Sequence, residues 1–156
     1  MFSSSFNTNT FTYTDTKVPI TLAPKAMEPK YQTEGAVGAD LHCLGECHLQ
    51  PSIPTLVDTG VSIQLGAGTA GLVYLRSSIG LQGVILANGV GVIDPDYRGT
   101  IKMCLLNMTD KEISYAAGHR IGQLLITPVS CAGFRVVTEL DHTNRGNGGF
   151  GSTGTT

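Results

Sequence analysis

Short runs of residues rich in Val, Ile and Thr alternate with turn residues along most of the chain. Gly, Pro, Asn or Asp bounds each run, and this pattern predicts short β-strands. No long stretch follows the 3.6-residue period of a helix, and only Ser77–Leu81 is a candidate for a single helical turn. The chain therefore predicts an all-β domain, built as a sandwich or barrel of short strands. Examples of the expected strands are Val18–Leu22, Thr55–Leu65, Gly71–Leu75, Gly83–Ala87, Ile101–Leu106, Arg120–Thr127 and Phe134–Leu140.

The composition changes at both ends of this β-rich body. Residues 1–14 are rich in Ser, Thr and Asn, which predicts a flexible N-terminal tail before a β domain at residues 15–142. Residues 143–156 are rich in glycine, and composition alone predicts another mobile tail. Amides freed by glycine, hydroxyls and an arginine can also surround an anion, so an arm that closes over a site is the alternative. The residues that suit this second role are Arg145, Phe150, Ser152 and Thr153.

Composition and charge restrict the class of protein. Hydrophobic residues make up 41% of the 156 residues and charged residues 14%, which indicates one globular domain. A formal net charge of −2 gives no general field for nucleic acid, so an anionic ligand would need a few placed groups. No apolar run reaches the ~18 residues of a membrane span, and the first residues lack the pattern of a signal peptide. We therefore expect a cytoplasmic protein, cellular or viral in origin, with reduced cysteines and no nucleic-acid or membrane partner.

The stretch Asn88–Lys102 carries the most chemical information. It reads NGVGVIDPDYRGTIK, in which Asn88 and Gly89 form a favoured tight-turn pair. The residues after Asp96 return the chain into a strand, so we predict a β-hairpin here. In the simpler interpretation Asp94 and Asp96 only serve the turn, whereas in the other an acid on this hairpin takes part in chemistry.

Three shorter stretches combine polar residues with predicted strands. LRSSIG places Arg76 and two hydroxyls at a strand end, where an oxyanion or a phosphate can bind, although an exposed strand end has the same appearance. AVGADL carries Asp40, a residue type that often caps a turn. GHRIGQLL carries Arg120 and Gln123, and polar residues in an apolar strand usually indicate an edge or a solvent-facing side.

Taken in order, these stretches resemble the five motifs of the trimeric dUTPase family. The motifs read AVGADL, RSSIG, NGVGVIDPDYRG, GHRIGQL and RGNGGFGSTG, and they extend from about Gly35 to Gly154. The third and fifth are long and specific, whereas the other three would be weak alone. The resemblance implies an all-β dUTPase fold of the β-barrel or jelly-roll kind, assembled as a homotrimer that exchanges C-terminal arms. It also implies a dUTP diphosphatase, in which Mg²⁺ assists the attack of water on the α-phosphate and dUMP and pyrophosphate are released.

The resemblance assigns roles to the third motif. Asp94 matches the family's general base, which orients and deprotonates the attacking water. Tyr97 matches a tyrosine that packs on the deoxyribose and blocks a 2′-hydroxyl. The hairpin is expected to hold uracil through backbone groups and one Asn side chain, and the matching residues are Asn88, Gly91, Val92 and Ile93.

The resemblance matches the other motifs to the phosphates and the metal. Arg145 and the fifth-motif hydroxyls are expected to hold the γ-phosphate while Phe150 covers uracil. Asp40 matches an acid that contacts hydrated Mg²⁺ through water. Gly122 departs from the family pattern, which usually has Ala before the glutamine, and this affects local packing. The full set of expected phosphate- and substrate-binding residues outside the uracil and sugar contacts is Arg76, Ser77, Ser78, Lys102, Gln123, Arg145, Phe150, Gly151, Ser152 and Thr153.

Two other functions stay open from the sequence. A dCTP deaminase shares the fold but relies on a glutamate base and a different central motif, and ammonia release from dCTP would identify it. A dUTPase-like scaffold with a binding or regulatory role is the second alternative. A zinc site is a weaker interpretation, because on one extended strand the two histidines and the two cysteines would point to opposite faces. The residues concerned are His42, Cys43, Cys47 and His48.

Overall fold

The computed structural model describes residues 17–150 and 152, so the predicted tail at residues 1–14 lies outside the described residues. Nearly all regular structure in this part of the chain is β-strand, which confirms the predicted all-β class. The one helix within it is a single turn, α1 (Ser77–Gly80), close to the predicted bounds, and no described helix is long and apolar enough to span a membrane. The strands are β1 (Ile20–Leu22), β2 (Ala39–His42), β3 (Cys47–Leu49), β4 (Thr55–Asp58), β5 (Val61–Ile63), β6 (Thr69–Leu75), β7 (Val84–Leu86), β8 (Gly91–Ile93), β9 (Lys102–Asn107), β10 (Ile113–Tyr115) and β11 (Arg120–Pro128).

Every pairing between these strands is antiparallel. The largest sheet has the order β2-β11-β6-β8, and a second sheet has the order β4-β9-β7. Two two-stranded sheets, β1-β5 and β3-β10, complete the arrangement. The largest sheet therefore brings together β2 and β11, which carry polar residues of two motifs, and the end of β6, which a third motif follows directly.

Alternate residues of the strands fill one apolar core. In β9, for example, Met103 and Leu105 are buried while Lys102 is exposed, as the two-residue period of a strand requires. Burying these side chains removes apolar surface from water and is the main stabilising contribution to the fold. Buried members of the core come from all four sheets: Leu41, Leu49, Ile63, Val73, Val84, Leu105 and Ile121.

Two of the predicted strand runs are wrong. Thr55–Leu65 is two strands in different sheets, because Thr59 and Gly60 turn the chain between β4 and β5. The buried Thr59 hydroxyl donates to Ile101 O at 2.8 Å, and Gly60 has a φ of 67°. Phe134–Leu140 contains no strand, and most of its apolar side chains are exposed. A strand needs a neighbour to pair with, and no described strand of this chain pairs with that segment.

The predicted hairpin at Asn88 and Gly89 is a turn whose flanking strands do not pair with each other. β7, before the turn, pairs with β9, whereas β8, after it, pairs with β6. The Gly89 N–H donates to Leu86 O at 2.8 Å, and Asn88 Nδ2 donates to Val90 O at 3.2 Å. The turn prediction is confirmed, but the hairpin pairing is wrong, because the chain passes from one sheet to another at this turn and β7 and β8 become edge strands of different sheets.

Gly122 on β11 leaves space for a side chain from the second sheet. A Cβ atom at this position would lie 2.6 Å from Met103 Cε and 3.0 Å from the carbonyl oxygen of Tyr74. Met103 is buried, so its flexible thioether fills the space that an alanine methyl would take. The departure from the family pattern at Gly122 is thus compensated by the packing of Met103.

We predict that Gly122→Ala lowers the free energy of unfolding by about 1–3 kcal/mol, because the new methyl overpacks against Met103 and a fixed carbonyl. Gly66→Ala is the matched control, since a Cβ there meets nothing within 4 Å, and its effect should stay within about 0.5 kcal/mol. Urea unfolding at one fixed chain concentration measures both. In a double-mutant cycle with Met103→Ala, the cost of Gly122→Ala should shrink; an additive cycle would contradict the proposed contact.

Candidate active site

A fully buried carboxylate joins three of the polar motifs. Asp40, on β2, has no exposed surface. Its Oδ1 forms an ion pair with Arg76, whose Nε lies 3.1 Å away, and accepts a hydrogen bond from Gln123 Nε2 at 3.2 Å. Its Oδ2 accepts one from Arg120 Nη1 at 3.1 Å. We call these four residues the Asp40 cluster. The two guanidinium groups and the amide stabilise the buried charge, and Asp40 in turn fixes their positions.

A β-bulge brings Arg120 and Gln123 to the same side of the sheet. Residues three apart on a regular strand point to opposite faces. Where β11 pairs with β2, the register shifts between Arg120 and Gly122, so Ile121 is an extra residue on β11. This shift allows both Arg120 and Gln123 to reach Asp40.

Arg120 is the member of the cluster that the sequence analysis did not assign to the site. β11 lies between β2 and β6, so the interpretation of its polar residues as signs of an edge strand is wrong, whereas the Arg120 side chain is 42% exposed, as a solvent-facing side would have it. Asp40 lies within β2 and does not cap a turn. A charge in a central strand needs an opposite charge nearby, and this requirement is the signal that could have linked Arg120 to Asp40.

The end of β6 presents further hydrogen-bond donors beside the cluster. The Arg76 backbone N–H donates to Ile121 O at 3.1 Å, which fixes the strand end against β11. The Arg76 side chain uses Nε for Asp40 and is 24% exposed, so its Nη groups are available to a ligand. Ser77 and Ser78 follow directly in α1 and are exposed. Three of the predicted phosphate-binding side chains therefore lie together.

β8 provides a different kind of surface, because it is the edge strand of the largest sheet. It pairs with β6 on one side, and the backbone groups on its other side have no strand partner among the described residues. Gly91 lies opposite Val73, and a Cβ at Gly91 would lie 3.2 Å from Val73 Cβ. Val92 is exposed and Ile93 is buried. The free backbone edge between Asn88 and Ile93 can therefore bind a planar polar ligand.

Asp94 and Tyr97 lie on the turn after β8. Asp94 is exposed, and its carboxylate takes part in none of the side-chain hydrogen bonds of residues 17–150. The Tyr97 hydroxyl donates to Thr100 O at 2.9 Å, which orients a ring that is 41% exposed. Lys102 begins β9 just beyond this turn, and its Nζ lies 3.9 Å from Asp58 Oδ2. The free carboxylate and the ring thus face solvent on one turn.

The two groups of polar residues occupy opposite ends of β6. Ile93 pairs with Gly71, so Asp94 lies beside the first residues of β6. Arg76, in contrast, directly follows the last residue of β6. The position on β6 that lies opposite Asp94 is six residues before Arg76. At ~3.3 Å per residue, these two positions are about 20 Å apart. One chain therefore does not bring Asp94 next to the Asp40 cluster.

The fifth motif forms a set of exposed turns. Arg145 Nε donates to the carbonyl of Gly148 at 2.9 Å, and Phe150 is fully exposed. Ser152 is also exposed, while Gly151 and Thr153 lie outside the described residues. Within the described chain, no hydrogen bond joins this segment to the Asp40 cluster or to the turn that carries Asp94.

The residues of the site fit a metal that arrives with a ligand better than a resident metal. No group of three His, Cys, Asp or Glu side chains converges on one point within residues 17–150. Mg²⁺ usually keeps several waters and binds nucleotide substrates mainly through phosphate oxygens. Asp40 Oδ2 accepts one hydrogen bond and keeps a lone pair, but it has no exposed surface, so a water of a hydrated ion would reach it only after a neighbouring side chain moves. The expected water-mediated role of Asp40 stays a prediction.

His42 adds no positive charge to this region. It lies on β2 two residues after Asp40 and is buried. Burial lowers the pKa of His42, and the charges of Arg120 and Arg76 lower it further, although Asp40 acts in the opposite direction. The imidazole is therefore neutral at neutral pH, and the positive charge near Asp40 comes from the two arginines.

Comparisons with known proteins identify the family of this chain. The dUTPase family model matches residues 25–154. The deoxyuridine 5'-triphosphate nucleotidohydrolase of Helicobacter pylori (strain Shi470) is 42% identical over 132 residues, which cover 84% of this chain and 91% of that protein. A protein of the same name from Corynebacterium glutamicum is 44% identical over 130 residues, which cover 82% and 87% of the two chains.

Solved structures have the same fold. The dUTPase of Staphylococcus bacteriophage 80alpha, solved with dUPNHPP, has a TM-score of 0.81 at 24% identity and covers 90% of this chain and 99% of that chain. The dUTPase of Streptococcus mutans has a TM-score of 0.69 at 30% identity and covers 74% and 98%. The resemblance found in the five motifs is thereby confirmed. This chain belongs to the dUTPase family.

Proposed function

We propose that this protein is a dUTP diphosphatase that hydrolyses dUTP to dUMP and pyrophosphate. Family membership and the names of the relatives support the activity. The observation that carries the proposal is the pair of complementary surfaces at the two ends of β6. One holds arginine, serine and glutamine donors suited to a phosphate chain, and the other holds a free backbone edge, a tyrosine ring and an unpaired carboxylate.

The separation of these two surfaces supports a site shared between copies of the chain. A water activated by Asp94 must reach a phosphorus atom at about 3 Å, yet about 20 Å of β6 separates Asp94 from Arg76 in one chain. A second copy that places its β8 turn beside the Asp40 cluster would complete the site. We therefore infer the homotrimer that the sequence resemblance implies, with its sites between subunits.

The segment 131–140 supports arm exchange in the same assembly. Phe134, Val136 and Leu140 are separated by even numbers of residues, so they would share one face of an extended strand, and all three are exposed. Apolar side chains in such a row usually contact another surface. We infer that this segment forms its strand on a neighbouring copy, which would carry the fifth motif to a distant site.

Recognition of the base and sugar follows from the turn and β8. Uracil has a donor and acceptors on one edge, and the unpaired backbone groups of an edge strand can match this pattern. Cytosine would leave some of these groups unsatisfied, which costs about 1–3 kcal/mol for each buried group. The Tyr97 ring, held by its hydroxyl, would pack on the deoxyribose where a 2′-hydroxyl would otherwise lie.

For the reaction, Asp94 would act as the general base and deprotonate the water that attacks the α-phosphorus. The exposed and unpaired carboxylate suits this role, since it is free to bind water. Arg76, Ser77, Ser78 and Gln123 would hold the phosphate chain while pyrophosphate leaves. Mg²⁺, when bound with the substrate, would neutralise part of the negative charge of the phosphates. A cytoplasmic location, expected from the sequence, stays a prediction.

We predict that Asp94→Asn lowers kcat for dUTP by about 10²–10⁴-fold while binding of a non-hydrolysable dUTP analogue is retained, because only proton acceptance is lost. Pyrophosphate release with Mg²⁺ present measures turnover, and calorimetry measures binding. Asp96→Asn is the matched control, since this acid lies on the same turn and has no assigned role. If Asp94→Asn and Asp96→Asn have the same kcat, the two acids only serve the turn. Ammonia release from dCTP by the unsubstituted protein would indicate a deaminase instead of a diphosphatase.

A complementation experiment tests the shared site. Asp94→Asn and Arg76→Ala should each be nearly inactive, because each removes one half of every site. If the halves come from different subunits, mixed trimers should recover roughly a quarter of wild-type turnover, the statistical share of sites with both intact groups. The variants are mixed under denaturing conditions, refolded together and assayed against each variant refolded alone. A mixture no more active than the separate variants would place both groups on one chain.

A truncation that removes residues 143–156 should leave the fold intact and abolish most activity. The described residues of this segment are exposed, so thermal unfolding should be unchanged. Activity should fall because the phosphate contacts and the Phe150 cover are lost together. Phe150→Ala alone should cost less, about 1–3 kcal/mol in kcat/KM by analogy with base stacking. Removal of residues 155–156 is the control, and full activity of the long truncation would favour a tail without function.

A further inference from the structure

The connection between β2 and β3 places two thiols against each other. Cys43 directly follows β2 and Cys47 begins β3. Both cysteines are free, and their Sγ atoms lie 3.8 Å apart, within hydrogen-bond distance for sulfur. The proposed hydrolysis of dUTP uses neither of them. We call this pair the β2–β3 dithiol.

The two thiols differ in exposure and in acidity. Cys43 is only 2% exposed, whereas Cys47 is partly exposed. The hydrogen bond from Cys43 lowers the pKa of Cys47 to about 7, and the Tyr115 backbone N–H and the charge of His48 act in the same direction. The same hydrogen bond and burial raise the pKa of Cys43. Near neutral pH, Cys47 is therefore the nucleophile and Cys43 the proton donor.

The backbone around the dithiol allows the two sulfurs to approach each other. Cys43 is fixed by two hydrogen bonds, from its N–H to His119 O at 2.9 Å and from the Gly118 N–H to its carbonyl at 2.8 Å. In the loop between the cysteines the Leu44 N–H donates to Asp58 O at 2.9 Å, whereas Gly45 is exposed and a Cβ there would meet nothing within 4 Å. A disulfide requires a separation of about 2.05 Å, so an approach of somewhat under ~2 Å is needed. We expect the loop to absorb it.

The geometry does not favour a metal at this place. His48 Nδ1 lies 2.8 Å from the Ser114 hydroxyl and 3.1 Å from Glu112 Oε1, which holds the imidazole on the exposed side of β3. In the described chain, no third ligand joins the two sulfurs. Two free thiols in contact with each other, without a third ligand, are suited to thiol–disulfide chemistry.

We propose that the β2–β3 dithiol is a redox modification site that reacts with low-molecular-weight disulfides such as glutathione disulfide. The Cys47 thiolate attacks one sulfur of the disulfide, forms a mixed disulfide and releases one thiolate. That thiolate takes the proton of Cys43, and the Cys43 sulfur then attacks the Cys47 sulfur and releases the second thiolate. Two protein thiols are oxidised to one disulfide, and one small disulfide is reduced to two thiols.

The test uses the full chain with Cys104→Ser and Cys131→Ser, so that only the dithiol can react. After incubation with glutathione disulfide at pH 7 and quenching with iodoacetamide, the intact mass should fall by two hydrogens. A protease that cuts after Glu46 should release two peptides joined by a Cys43–Cys47 disulfide, and dithiothreitol should separate them. These measurements read thiols and not hydrolysis, so their outcome is independent of the proposed function.

Two substitutions of Cys43 separate its two roles. Cys43→Ser keeps a hydroxyl donor but cannot close the disulfide, so glutathione should stay attached to Cys47. Cys43→Ala removes the donor as well. At pH 7 a thiol with a pKa near 7 has a thiolate fraction about 16-fold larger than that of an ordinary thiol, but each thiolate is about fivefold less nucleophilic. Cys43→Ala should return Cys47 to the ordinary pKa. It should therefore slow alkylation of Cys47 about threefold. Far-UV circular dichroism checks that both variants fold.

Three results would overturn the proposal. The first is a reaction with glutathione disulfide that stops at the mixed disulfide when Cys43 is present. The second is alkylation of Cys43 before Cys47. The third is an unreactive dithiol under conditions in which an exposed cysteine, such as Cys131 in the unsubstituted chain, is modified.

Discussion

The burial of Asp40 is the constraint on which the rest of the site depends. Leaving a buried charge without a partner costs about 3–5 kcal/mol, so a carboxylate with no exposed surface requires donors. Arg76, Arg120 and Gln123 meet this requirement, and they come from the end of β6 and from both sides of a bulge in β11. The cluster therefore holds two guanidinium groups and an amide in one geometry before any ligand binds. Positioned donors of this kind need little reorganisation when an anion arrives.

Strand geometry keeps this preformed surface apart from the other predicted site residues within one chain. β6 is seven residues long, and the groups that suit a nucleobase and a water molecule lie at its other end. An extended strand cannot bend to bring its two ends together, and this separation is the reason for proposing a site shared between copies of the chain. The exposed apolar segment after β11 has the same implication, because its side chains find no cover within the described chain. In the proposed assembly, folding of one copy and formation of the site would be separate steps.

β2 connects the Asp40 cluster to the β2–β3 dithiol and lies beside Gly122 of β11. Asp40 lies three residues before Cys43, whose backbone pairs with the segment that leads into Arg120. The thiol pair and the buried carboxylate are therefore attached to the same short strand. The neighbouring position Gly122 illustrates how local departures from the family pattern are tolerated, since Met103 on another sheet occupies the vacated space. Packing in this core depends on pairs of residues, so the residue type at a single position does not predict how that position is packed.

The sequence by itself determined the β class, most strand positions, the α1 turn, the turn at Asn88 and, through the five motifs, the family. These are local signals: residue propensity, period and glycine placement act within a few neighbours. Only the tertiary structure decided that Thr55–Leu65 is two strands, that Phe134–Leu140 is unpaired and that β7 and β8 belong to different sheets. It also decided that Arg120 shares Asp40 with Gln123, because a bulge depends on the strand it pairs with. Strand pairing, register and charge burial join residues far apart in the chain, and no local pattern contains that information.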